Sequence, residues 1–157
     1  YAAYVLNYIL GGGGFNARLM EEVREKRGLT YGIYSTFDPL PVAGPWYVSV
    51  ETEPKNIAEV EHLVETAMAA MRQQQVPAQE LEHAKAFLID SFPLRVDSSA
   101  KLLGYLRVMQ QEELGADYLE KWPEHIRAVT AEDVLHAAQR YLHPDSLLKV
   151  RVGPTHE

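Results

Sequence analysis

The first residues that could do chemistry in this 157-residue chain are its histidines, since imidazole serves both as a metal ligand and as a general base. His62, followed by Glu65 and Thr66, fits the first four positions of the inverted zinc motif H-x-x-E-H. Thr66 stands where the second imidazole belongs and brings no nitrogen to a metal, so His62 reads as a solvated helix residue and no metal ligand is expected. His83 and His136 fall on polar positions of amphipathic patterns, and His143 and His156 in a turn and at the chain end; no histidine has a sequence partner. The chain has no cysteine, which removes thiolate nucleophiles and disulfides, and neither G-x-S-x-G nor S-x-x-K occurs. The adjacent pairs Glu21/Glu22 and Glu112/Glu113 point about 100° apart on a helix and make no acid/base dyad. Gly11 to Gly14 lack the G-x-G-x-x-G spacing and the Gly-Lys-Ser/Thr ending of phosphate loops. They read as a helix stop with a close backbone approach. On residue chemistry alone the chain has no catalytic set of its own.

Bulk properties narrow the function further. A net charge of -7 and a pI near 5.4, without a basic stripe, exclude the usual nucleic-acid surface. The apolar runs are short and broken by charges, far from the ~20 residues of a membrane span. A composition of 46% hydrophobic and 24% charged residues suits one globular domain over residues 1–157. The opening YAAYVLNYIL has no initiator methionine, basic region or cleavage pattern, so an N-terminally truncated segment of a longer chain is expected. Bacterial periplasm and cytoplasm both stay open.

Periodicity supplies the elements around these residues. Tyr4, Val5, Tyr8 and Ile9 predict a helix ending near Gly11. Asn16 is the expected N-cap of a short helix with Leu19, Met20 and Val23 inward, reaching about Lys26. After Arg27-Gly28, Tyr31, Ile33, Ser35 and Phe37 alternate on one side of a strand. A proline-rich turn over 38–45 leads to a second strand, Trp46 to Thr52, giving an antiparallel hairpin. Ile57, Val60, Leu63, Val64, Ala67, Met68 and Met71 mark the longest helix. Pro77 starts another, with Leu81, Ala84, Leu88 and Phe92 inward. Ser98 or Ser99 caps a helix using Leu102, Leu103, Leu106 and Met109, and a short helix covers Asp117 to Arg127. Thr130 to Asp133 is a variant capping box for a last helix burying Val134, Leu135, Ala138 and Leu142. Leu147, Leu148, Val150 and Val152 predict a final strand, closed by Gly153-Pro154. The order predicts an α+β fold in which helices pack on one face of a mixed, mainly antiparallel sheet. Three strands are few for so many helices, and further strands are expected ahead of Tyr1.

With these elements in place, LGGGGFNARLMEEVREKRGLTYGIYS, LEHAKAFLIDSFPLRVD and VTAEDVLHAAQRY together resemble the C-terminal, non-zinc domain of the pitrilysin/insulinase family of zinc peptidases. The likeness falls in the branch that includes mitochondrial processing peptidase and its bacterial relatives, and covers nearly the whole chain. It implies an α+β domain of a clamshell that encloses peptide substrate, with no zinc in this chain and zinc held by another domain or subunit of the same family. It also implies that an arginine and a tyrosine seven positions apart bind the carbonyl at the scissile bond; here these match Arg24 and Tyr31. A guanidinium and a phenol are suitable donors to an oxygen that gains negative charge. By residue type alone Arg24 would read as a surface helix residue and Tyr31 as a core aromatic, and the resemblance reverses that preference. Two other functions fit the same chain: a catalytically inactive assembly subunit of the family, as in respiratory-complex core proteins, or a peptide binder that adds a strand to a sheet edge.

Overall fold

A computed structural model describes residues 1–38 and 44–153. The body of the turn expected over 38–45, with Pro154 and His156, lies outside the described residues.

The chain opens with helix α1 (Ala2–Asn7), which continues as a wider π-helical turn, Tyr8–Gly12. Val5, Leu6, Ile9 and Leu10 are at most 2% exposed, so this first element is the central helix of the core rather than a surface one. Burying a side chain of that size contributes about 1.5–3 kcal/mol, which explains why so short a helix holds. Its apolar face is broader than the spacing suggested, and Tyr4 stays at the surface.

A 3-10 turn, Gly14–Asn16, leads to a second π-helical segment, Met20–Glu25. Asn16 is not the N-cap: it lies inside the 3-10 turn, and Ala17 takes the extended conformation ahead of the helix. Strands β1 (Thr30–Phe37) and β2 (Trp46–Thr52) then form the antiparallel hairpin, closed by the bond from Asp38 N–H to the Pro45 carbonyl (2.9 Å). Ile33, Val48 and Val50 pack on the core, while Tyr34 and Tyr47 face out.

Helices α2 (Ile57–Gln73) and α3 (Ala78–Ser91) bury the stripes their spacing requires, Val60, Val64, Met68 and Met71 in one and Leu81, Ala84 and Leu88 in the other. Helix α4 (Ser99–Gln111) is capped by Ser98, whose hydroxyl accepts from Lys101 N–H at 3.3 Å. Its expected inward face is not buried: Leu102, Leu103 and Leu106 are exposed and only Met109 is covered. Spacing put these leucines on one face, but α4 meets no second apolar surface there. Helix α5 (Tyr118–Ala128) precedes α6 (Ala131–Tyr141), whose capping box forms with Asp133 in the acidic position: Asp133 N–H bonds the Thr130 hydroxyl at 3.1 Å and Thr130 N–H bonds the Asp133 carboxylate at 2.9 Å.

The fold is α+β, with helices on one face of an antiparallel sheet. Among the described residues that sheet has two strands, and the third expected over 147–152 does not form. The segment is extended but shares no ladder with β2; the two line one groove, and Lys149 and Arg151 tie the segment to Glu61 and Glu65 on α2. Alternation makes a strand possible, but only a neighbour's N–H and C=O groups make it a strand.

Candidate peptide-binding site

The site is set by how closely the first helix meets the hairpin. A Cβ on Gly11 would sit 2.5 Å from Ser35 Oγ and 2.9 Å from Ser35 N, so only glycine lets α1's π-helical end touch the β1 backbone. Asn7 staples the same contact. Its Nδ2 donates to the Ser35 carbonyl (3.1 Å), while its Oδ1 accepts from Ser35 Oγ (2.8 Å) and Trp46 Nε1 (3.0 Å). One polar side chain among apolar helix residues thus joins α1 to both strands. Sequence reasoning passed over Asn7, although a polar residue amid the core stripe was its available signal.

From that anchored hairpin the chain runs back to Arg24. Gly28 adopts φ +63°, its N–H bonds the Arg24 carbonyl (2.8 Å), and Leu29 N–H bonds the Val23 carbonyl (3.0 Å). This left-handed cap satisfies the helix end and turns the chain directly into β1. Arg24 stands at the last turn of its helix, half-buried, with its guanidinium 4.6 Å from the centre of the Phe15 ring. The neighbouring cations are neutralised: Arg18 grips Glu80 through two bonds of 2.8 and 2.6 Å, and Arg27 meets Glu22 at 2.7 Å. Hydrogen bonds from Lys26 and then Arg27 hold Glu22 below the usual carboxylate range. Arg24 has no carboxylate partner among the described residues.

Tyr31 departs from the strand pattern in the opposite sense to a core aromatic. It is 98% exposed, although Ile33 and Ser35, which should share its side, are buried. The cause is a β-bulge: Thr30 pairs with Thr52 and Ile33 with Val50, so three steps on β1 match two on β2 and the alternation flips between them. Thr30 holds the bulge, its hydroxyl donating to the Glu51 carbonyl (2.6 Å) and accepting from Gly32 N–H (3.0 Å). The bulge turns the Tyr31 phenol into solvent. Gly32 inside a strand was the signal for it.

Arg24 and Tyr31 therefore stand on either side of the Gly28 turn, a guanidinium without a carboxylate partner among the described residues and a phenol open to solvent. Each group is a donor to an oxygen that carries negative charge. Among the described residues no three of His, Cys, Asp and Glu come together, His62 is exposed on α2, and Glu65 is engaged by Lys149 at 2.5 Å. Among the described residues no helix is long and apolar enough to cross a membrane.

The profile of the family described as "Peptidase M16 inactive domain" matches residues 1–88, more than half of the chain. The chain belongs to this family. A Helicobacter pylori protein described as "Non-peptidase homolog YmxG" is 34% identical over 103 residues, which cover 63% of this chain and 23% of that protein. A Mycobacterium tuberculosis protein described as an uncharacterized zinc protease is 29% identical over 142 residues, covering 90% of this chain and 32% of that one. The chain thus spans 23% to 32% of the length of these relatives. The crystal structure of a peptidase M16 inactive domain from Pseudomonas fluorescens superposes with a TM-score of 0.82 at 39% identity, covering 92% of this chain and 35% of that one. A conserved Enterococcus faecalis protein superposes at 0.76 with 28% identity, covering 89% and 32%. The zinc-peptidase family expected from the sequence is the family found, and the chain is its inactive domain.

Proposed function

We propose that this M16 inactive domain is the substrate-binding half of a bacterial zinc metallopeptidase acting on peptides or small unfolded polypeptides. Arg24 and Tyr31 bind the carbonyl at the scissile bond, and the zinc belongs to another domain or subunit of the same family. The reading rests on one observation above all. The cation of the helix end without a carboxylate and the phenol turned outward by a bulge are held at the two ends of the Gly28 turn. A peptide carbonyl polarised there gains two donors as its oxygen takes on charge, which lowers the barrier for attack on its carbon. This chain's part is to bind, orient and stabilise.

The test uses the assembled peptidase. Arg24→Ala and Tyr31→Phe each lower kcat by about 10- to 1000-fold, the range for losing one oxyanion donor, while circular dichroism stays unchanged. Wild-type turnover in both variants would overturn the assignment. A second reading, an inactive assembly subunit, draws support from the Helicobacter pylori relative described as a non-peptidase homolog. It predicts that the assembled protein turns over no peptide and that neither substitution alters assembly, as size-exclusion chromatography would show.

A further inference from the structure

Arg24 is not the only cation without an acidic partner among the described residues. Every lysine engages a carboxylate, as do Arg18, Arg27 and Arg151. Arg95, at the end of the 3-10 turn Phe92–Arg95, instead donates to the Tyr4 hydroxyl and lies 5.9 Å from the centre of that ring. No described carboxylate neutralises it, in a chain whose acids outnumber its bases 22 to 15.

A band of rings connects the two arginines. Tyr4 and Tyr8 lie one helical turn apart on the first helix, Tyr8 stacks on Phe87 with centroids 5.3 Å apart, and Phe15 follows the glycine turn beneath Arg24. Burial raises the Tyr8 hydroxyl above its ordinary range, opposed by a hydrogen bond with the Asn16 side chain and by the Arg95 charge, which ties the glycine loop to Arg95 through one residue. Tyr4, Phe15 and Phe87 are 40%, 64% and 48% exposed, so the band is open to a ligand. The glycine turn packs on this band, since a Cβ on Gly13 would lie 3.2 Å from the Tyr8 ring.

We propose that Arg95, with Tyr4, Tyr8 and Phe87, forms a second subsite that takes a carboxylate of the peptide whose carbonyl is held by Arg24 and Tyr31. The inference rests on the peptide-binding reading above and adds a substrate class to it: peptides carrying an acidic side chain, or their own C-terminal carboxylate, at one fixed register from the cleaved bond. The half-buried guanidinium supplies planar paired donors, and the rings carry the apolar backbone between the two anchors. The partly desolvated setting makes the ion pair stronger than an exposed one.

The experiment is a positional scan with the assembled peptidase. Peptides of about twelve residues carry one Glu at successive positions, each matched by a Gln peptide, and each is made with a free and with an amidated C-terminus. KM is measured, and anisotropy of the same labelled peptides on metal-free protein gives affinity independently of turnover. The expected result is about tenfold tighter binding of Glu than Gln at one register of the scan. Arg95→Gln closes that gap and Arg95→Lys retains part of it. A gap that appears only between free acid and amide supports the subsite with the chain terminus as its carboxylate. The absence of any gap in the wild-type protein overturns the proposal, as does a gap left intact by Arg95→Gln. The donor reading fails separately, because Arg24→Ala is read in kcat on both peptides, whereas the Arg95 subsite is read only in the difference between them.

Discussion

Strand β1 and the segment 147–152 carry the same kind of alternating apolar pattern, yet one is a strand and the other is not. β1 lies against a helix that touches its backbone through Gly11, and it pairs with β2. The C-terminal segment has Leu148, Val150 and Val152 at 90%, 76% and 97% exposure, and it is held by ion pairs instead of a ladder. Alternation reports which faces a chain could bury. Pairing and packing decide whether it buries them.

Three measurements break or sharpen this contrast. The largest effect is expected at the packed contact. Gly11→Val forces branched carbons against Ser35, and overpacking at a backbone contact should cost about 3 kcal/mol, with a fall in melting temperature of roughly 10 °C by calorimetry. Val150→Ser, in the exposed segment, should stay within about 0.5 kcal/mol of wild type; equal effects at the two sites would erase the contrast. A smaller effect is expected at the turn. A Cβ on Gly28 meets nothing within 4 Å, so Gly28→Ala should cost only the left-handed backbone penalty, about 1 kcal/mol by chemical denaturation. On the proposed function, in which that turn spaces Arg24 from Tyr31, kcat of the assembled peptidase should fall along with stability.

The smallest effect concerns the ion pairs alone. The hydrogen bond from Arg151, with that from Lys149 and against slight burial, lowers the Glu61 pKa. A depressed carboxylate contributes stability above its unfolded pKa and loses it as pH falls through the folded value, so the tether should weaken as pH falls from the ordinary glutamate range through the lowered folded value. At neutral pH, ~1 M salt shortens the screening length to about 3 Å and should speed tryptic cleavage after Lys149 and Arg151 while the β1–β2 hairpin stays protected. Cleavage indifferent to salt would mean that apolar packing, not charge, holds the segment.

These contrasts show which features were legible. Gly28 between a helix and a strand reads directly as a reversal, and Thr130 with Asp133 as a cap, because backbone conformation at those positions follows from local residue type. The stripes of α2 and α3 were equally readable from spacing. The leucines of α4 were misread because periodicity shows that a helix has an apolar face, not that a partner covers it. Tyr31 was misplaced for a different reason. A bulge shifts every side chain before it by one, and only the pairing of Thr30 with Thr52 and Ile33 with Val50 reveals it. Asn7 was missed because its two partners, Ser35 and Trp46, lie 28 and 39 positions away.

The sequence by itself determined the class of fold, the family, the order of the helices, the reversal at Gly28, and the residue types at positions 24 and 31. Those follow from local conformational preference and from resemblance along the chain. The tertiary structure alone decided that Tyr31 faces solvent, that Arg24 has no carboxylate partner among the described residues while Arg18 and Arg27 have theirs, and that the last extended segment stays outside the sheet. Each of these depends on what a distant segment donates, accepts or covers, and that is not encoded in any local spacing.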